Sequence, residues 1–83
     1  MKIKILSAIT TKRRADGTAY RRVTGINQKI ITVYLHPSTE TSCLREGSYV
    51  IIANPGKVSY TNTETVVSLN SESKVCHLVN LFL

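Results

Sequence analysis

Eighty-three residues make one small domain, which buries only roughly 60–65% of its unfolded surface and leaves little chain for the walls of an enzyme pocket. Eleven Lys and Arg against five acids give a net charge of +6, and six of those cations lie between Lys12 and Lys29 with only Asp16 among them. Such an excess points to a polyanionic partner, because a surface that serves only solubility usually mixes signs.

The N-terminus opens with Met1-Lys-Ile-Lys-Ile5, where apolar and charged residues alternate at the period of a strand. This start is too short and too alternating for a signal peptide, and no apolar run approaches the ~18 residues of a membrane span. The basic stretch Lys12-Arg-Arg-Ala-Asp-Gly-Thr-Ala-Tyr-Arg-Arg22 follows, with five cations around Asp16-Gly17. That dipeptide takes the positive φ angles of a type I′ hairpin turn, so a first strand near 2–13 and a second near 18–27 are predicted. Gly25-Ile-Asn-Gln28 marks the break before a third strand near 29–36, in which Ile31, Val33 and Leu35 alternate with Ile30, Thr32, Tyr34 and His36. The polar connector Pro37–Arg45 is the one helix candidate, long enough for a turn or two. Glu46-Gly47 opens a fourth strand near 47–59, and Pro55-Gly56 or Tyr60–Thr63 turns the chain into a fifth near 63–70. An apolar tail, 75–83, closes the sequence as a sixth strand, a closing helix or a subunit contact, and the domain proper is placed at 1–74.

This succession of strands resembles the OB-fold. The likeness is carried by I-x-V-x-L (Ile31–Leu35), L-R-E-G-S-Y-V-I-I-A-N-P-G-K-V (Leu44–Val58) and V-V-S-L-N (Val66–Asn70). These are similar to the nucleic-acid-binding OB domains of replication protein A and its relatives, where L-x-E-G-D leads into strand four and an L-x-L-N strand follows. T-K-R-R-A-D-G-T-A-Y (Thr11–Tyr20) resembles the basic hairpin of small phage and bacterial single-strand binders, with Ala19 where those carry Pro. The chain also departs from many such binders in having no Trp and one Phe. The resemblance implies an all-β, five-stranded OB-type Greek-key barrel with a short helix or loop between strands three and four. It further implies binding of single-stranded DNA, with RNA or a protein partner as the alternatives.

Parity then selects the side chains. If Val23, Ile31, Val33 and Leu35 face inward, Tyr20, Arg22, Tyr34 and His36 face outward. Tyr20 and Tyr34 offer rings on which bases stack, and Lys12, Arg13, Arg14, Arg21, Arg22 and Lys29 offer charge to phosphates. Lys57 and Tyr60 are expected to clamp the ligand from the opposite loop. Tyr49 reads as packing at a barrel end, and Lys2 and Lys4 as solvated charges that discourage pairing at a sheet edge.

No chemistry of catalysis emerges. Asp16, Glu40, Glu46, Glu64 and Glu72 are scattered, a Cys43–His36 couple has no third group to orient it, and Gly56-Lys57 lacks the rest of a phosphate-binding loop. Two cysteines and two histidines at 36, 43, 76 and 77 have neither disulfide-scaffold nor zinc spacing. The expectation is a reduced, intracellular binding protein, cytoplasmic or nuclear. It has no cofactor, metal or membrane partner, and the tail offers a homodimer or protein contact.

Overall fold

The computed structural model describes residues 1–78. The described chain is all-β: β1 (Lys2–Ile5), β2 (Thr10–Arg13), β3 (Ala19–Asn27), β4 (Lys29–Leu35), β5 (Tyr49–Ala53), β6 (Lys57–Tyr60), β7 (Glu64–Ser68) and β8 (Lys74–His77). All eight strands belong to one sheet, ordered β6-β7-β4-β3-β1-β5-β8, with β2 paired to β3. Neighbours are antiparallel except β4 and β7, which run parallel.

The sheet is curled, and the connectivity requires it. In a flat sheet β5 and β6 would stand five inter-strand steps apart, roughly 24 Å. Only Asn54, Pro55 and Gly56 join them, a link that reaches at most roughly 14 Å. Asn54 (φ 51°) and Gly56 (φ 82°) both take left-handed backbone at this bend. At Gly56 a side chain would meet the carbonyl oxygen of Ser68 at 2.5 Å, so only glycine lets β7 pass this close.

The run expected at 2–13 is broken in two. Along β3, Val23 and Thr24 separate the partners of Ile5 and Thr10, whereas four residues, Leu6–Ile9, separate Ile5 from Thr10. The two surplus residues bulge out of the ladder, with Leu6 N still donating to Thr24 O (2.8 Å). The break between the second and third strands narrows to Gln28 (φ 69°), because β3 runs through Gly25 and Asn27 pairs with Lys29.

One local alternative is decided and one expectation corrected. Of the short helix or loop expected after β4, the connector forms the loop, as a series of turns. Thr39 Oγ1 accepts from His36 N (3.0 Å) and Glu40 Oε1 from Ser42 N (3.0 Å), so short polar side chains take the amides a helix would use. The 14–18 turn is not type I′. Gly17 alone has positive φ (91°), Gly17 N donates to Arg14 O and Arg14 N to Thr18 O, which makes a three-residue loop closed by a left-handed glycine.

One face of the sheet forms the core: Ile3, Ile5, Val23, Ile31, Val33, Leu35, Val50, Ile52, Val67 and Leu69, with Leu44 supplied by the connector. β1, β4, β5 and β7 bury alternate residues, as period-two patterning demands, whereas β2 is exposed throughout. β8 extends the sheet beyond β5 and spans the 74/75 boundary, so the first part of the apolar tail is a strand. The rest of that tail, from residue 79 on, lies outside the described residues.

Candidate nucleic-acid interface

The site grows from the outward parity of β3 and β4. Arg22 pairs with Tyr34, Thr24 with Thr32 and Ile26 with Ile30, so these six share the face opposite the core. The register carries the row further. Tyr34 lies beside Ser68, Ser68 beside Lys57, and on the other side Arg22 lies beside Thr10 and Tyr20 beside Lys12. Lys12, Tyr20, Arg22, Tyr34 and Lys57 are thereby brought to one surface from four segments of the chain.

The centre of this surface is a stack. The Tyr20 and Tyr34 rings lie 5.7 Å apart and are tilted by 52°. The Arg14 guanidinium covers Tyr20 at 4.6 Å from the ring centroid, within cation–π range. Arg14 reaches the ring because the turn carries it there. Asp16 Oδ1 accepts from Thr18 N (2.9 Å) and Thr18 Oγ1 (2.6 Å), which pins the loop. The Thr18 hydroxyl, and then its amide, hold the Asp16 carboxyl below the ordinary carboxylate range. An open pocket of about 500 Å³ lies against the stack, lined by Arg14, Tyr20, Tyr34, His36, Pro37 and Ser68 among others. A second, of about 430 Å³, also touches Arg14 and Tyr20 and reaches Thr11 and Arg21.

The remaining predicted residues are placed elsewhere. Arg21 has the parity of buried Val23, and its guanidinium donates to His36 O (3.0 Å) and Pro37 O (3.4 Å). It ties the hairpin to the connector and so sets the wall to which Pro37 belongs. The same parity that turned Val23 inward in the sequence was the signal for this role. Arg13 pairs with Ala19, one residue out of phase with Lys12, so it sits on the opposite face of the β2–β3 ribbon, where Nη1 donates to Gly17 O (3.1 Å). Lys29 and Tyr60 lie at the far end of β4. Lys29 Nζ donates to Thr61 O (3.2 Å), and Tyr60 pairs with Thr65, at the core-side parity of β7 but highly exposed. They form a separate cluster, about 17 Å along the strand from Tyr34.

Lys2 and Lys4 are also not where the sequence suggested. β1 lies between β3 and β5, so both lysines project from a strand paired on both sides and cannot be edge charges. Tyr49 is 43% exposed on the neighbouring strand, and Lys4 Nζ stands 5.7 Å from its ring centroid. The alternation of Lys2 and Lys4 with Ile3 and Ile5 signalled outward lysines, but not which strands would flank them.

The Cys43 thiol donates to Val75 O (3.6 Å), and burial pushes its pKa up, the reverse of an activated nucleophile. His36 Nδ1 contacts Ser38 Oγ at 2.8 Å. Among the described residues no helix is long and apolar enough to cross a membrane, and no three His, Cys, Asp or Glu gather as a metal site. Comparison with protein-family models and with curated proteins finds no match for this chain.

Proposed function

We propose that this chain is an OB-type barrel that binds single-stranded DNA with little sequence preference and catalyses no reaction. The fold reading rests on the pairing circuit. If β1–β2 and β5–β6 are each counted as one bent strand, six strands remain, of which the last, β8, only adds to the side of the fourth; the other five form the circuit. Their neighbours are first–second, second–third, third–fifth, fifth–fourth and fourth–first, with third and fifth parallel. That order supports the reading as a five-stranded Greek-key OB barrel.

The observation that carries the functional reading is the Arg14–Tyr20–Tyr34 stack with Arg22 directly beside Tyr34. Tyr20 and Tyr34 are half-buried on the outward face, and rings set between cations are what a single strand requires. Every base has a π-face to stack, and every linkage has a phosphate to neutralise. The pocket beside the stack is open, which suits a polymer lying across it better than an enclosed small molecule.

The test is a titration of labelled oligo-dT, oligo-rU and a duplex, followed by fluorescence anisotropy. If Lys12, Arg14, Arg22 and Lys57 meet phosphates, log K falls with log salt at a slope near about −3, or about 50-fold between 50 and 200 mM. Tyr34→Ala removes a stacking platform and weakens oligo-dT by about 1–3 kcal/mol at unchanged slope. Binding that ignores salt, or a Tyr34→Ala protein that binds like the parent, contradicts the proposal. Preference for oligo-rU over oligo-dT would move the assignment to RNA.

A further inference from the structure

We infer that Lys2, Lys4 and Tyr49 form a second contact for the same single strand, on the outer face of β1 and β5. The inference rests on the functional reading above and extends its footprint. Two observations set this patch apart from an ordinary solvated surface. Its lysines stand on an interior strand of the sheet, where the edge-protection role has no place. It also repeats the chemistry of the first cluster, a cation held over a tyrosine ring.

The register shows how one strand would reach both. Lys4 pairs with Ile26 on one side and Tyr49 on the other, and Lys2 pairs with Ile51. The direct lattice neighbours of the two lysines are therefore Ile26, Tyr49 and Ile51, with no carboxylate among them. Glu64 lies at the end of this row, beyond Ile26 and Ile30. From Arg22 to Ile26 is about 13 Å along β3, and from β3 to β5 is two strands, about 10 Å. The diagonal of about 17 Å corresponds to about five nucleotides at a stacked rise of 3.4 Å. The ground between is Thr24, Thr32 and Ile26, uncharged and half-buried; the Glu64 carboxylate borders it, accepting from the Thr32 hydroxyl (3.1 Å), so the path runs on the Thr24 side. The base side of the ligand gains Tyr49 and Ile51, which are 43% and 39% exposed and otherwise face water.

The experiment titrates a fluorescein-labelled 15-nucleotide oligo-dT against the full chain and its variants across a salt series. Lys2→Ala with Lys4→Ala is expected to reduce the salt slope by about 1.4, two phosphate contacts' worth. Tyr49→Ala is expected to weaken binding about fivefold or more at unchanged slope, and Tyr49→Phe, which keeps the ring, to retain it. Arg45→Ala, which removes one positive charge from the connector, should keep the wild-type slope. If wild type binds and Tyr34→Ala weakens it, but the Lys2/Lys4 and Tyr49 variants bind like wild type, this inference falls and the functional reading stands. If wild type does not bind at all, both fall. If Tyr49→Ala abolishes self-association in sedimentation while leaving oligo-dT binding intact, the patch is a protein contact and the inference is overturned.

Discussion

Arg14 offers the sharpest perturbation, because in the free protein it occupies the very ring that a base would use. Its guanidinium lies 4.6 Å from the Tyr20 centroid, a contact worth about 0.5–1 kcal/mol at an exposed site. For a base to stack on that face Arg14 must leave, and a phosphate is its natural destination. Arg14→Ala therefore has two opposed effects. It deletes one phosphate contact, which lowers the salt slope by about 0.7. It also frees Tyr20 from its cation, which favours stacking by about two- to fivefold at every salt concentration. Between 50 and 500 mM salt the slope difference alone is worth about fivefold, or about 1 kcal/mol. The expected result is that Arg14→Ala binds more weakly than wild type at low salt and equals or exceeds it at high salt, so the two plots converge or cross. Arg14→Lys should keep the slope. Anisotropy titrations of oligo-dT at five or six salt concentrations measure both parameters. Parallel lines for wild type and Arg14→Ala would show that Arg14 never exchanges the ring for a phosphate, and would refute the displacement.

Two further predictions concern the scaffold. Gly17→Ala and Gly56→Ala both force an alanine to positive φ, at about 1–2 kcal/mol each, but only Gly56 faces a backbone oxygen, 2.5 Å from where Cβ would lie. Urea unfolding should show Gly56→Ala the less stable of the two by at least about 1 kcal/mol, and matching midpoints would contradict the packing at the bend. At the other turn, the Asp16 carboxyl is held below its ordinary value of 3.8 by Thr18. A depressed carboxylate contributes above its unfolded value and loses that contribution as pH falls through the folded one, so the turn should loosen below about pH 3.8. An NMR titration of the Asp16 carboxyl that shows a midpoint at or above 3.8 contradicts the hydrogen-bonded turn.

What the sequence made legible follows from local parity. Ile3 and Ile5, Val23, and Ile31, Val33 and Leu35 recur at every second position of their strands, and all six are buried as their period demands. The same rule turned Tyr20, Arg22 and Tyr34 away from the core, and the resemblance to an OB barrel set their two strands side by side. What escaped depended on contacts distant in sequence. Lys2 and Lys4 read as edge charges until β5 is seen to pair with β1, a partner roughly fifty residues away that no local pattern names. The bulge at Leu6–Ile9 is visible only when the two lengths opposite β3 are compared. The five cations of the hairpin look equivalent in sequence, yet the ladder divides them. Lys12 and Arg22 share the face of Tyr20, Arg21 is drawn in to the connector's carbonyls, Arg13 faces the other way, and Arg14 is delivered by the turn. The connector left helix or loop open, and loop wins where Thr39 and Glu40 side chains take nearby amides.

The two tyrosine–cation couples impose a common constraint on any ligand. Each ring already has a charge over or beside it, so a neutral aromatic molecule gains stacking only by displacing a cation into water, and the exchange brings little net gain. A polyanion that carries aromatic groups escapes this penalty, because its phosphates receive the displaced guanidinium or ammonium while its bases take the rings. A simple polyanion such as a sulfated polysaccharide would engage the charges and leave the rings unused. Under the proposed function, the pairing of rings with cations, more than the net charge of +6, would select for nucleic acid among negatively charged partners. A need for unstacked bases would in turn favour single strands over a duplex, whose π-faces are already occupied by one another.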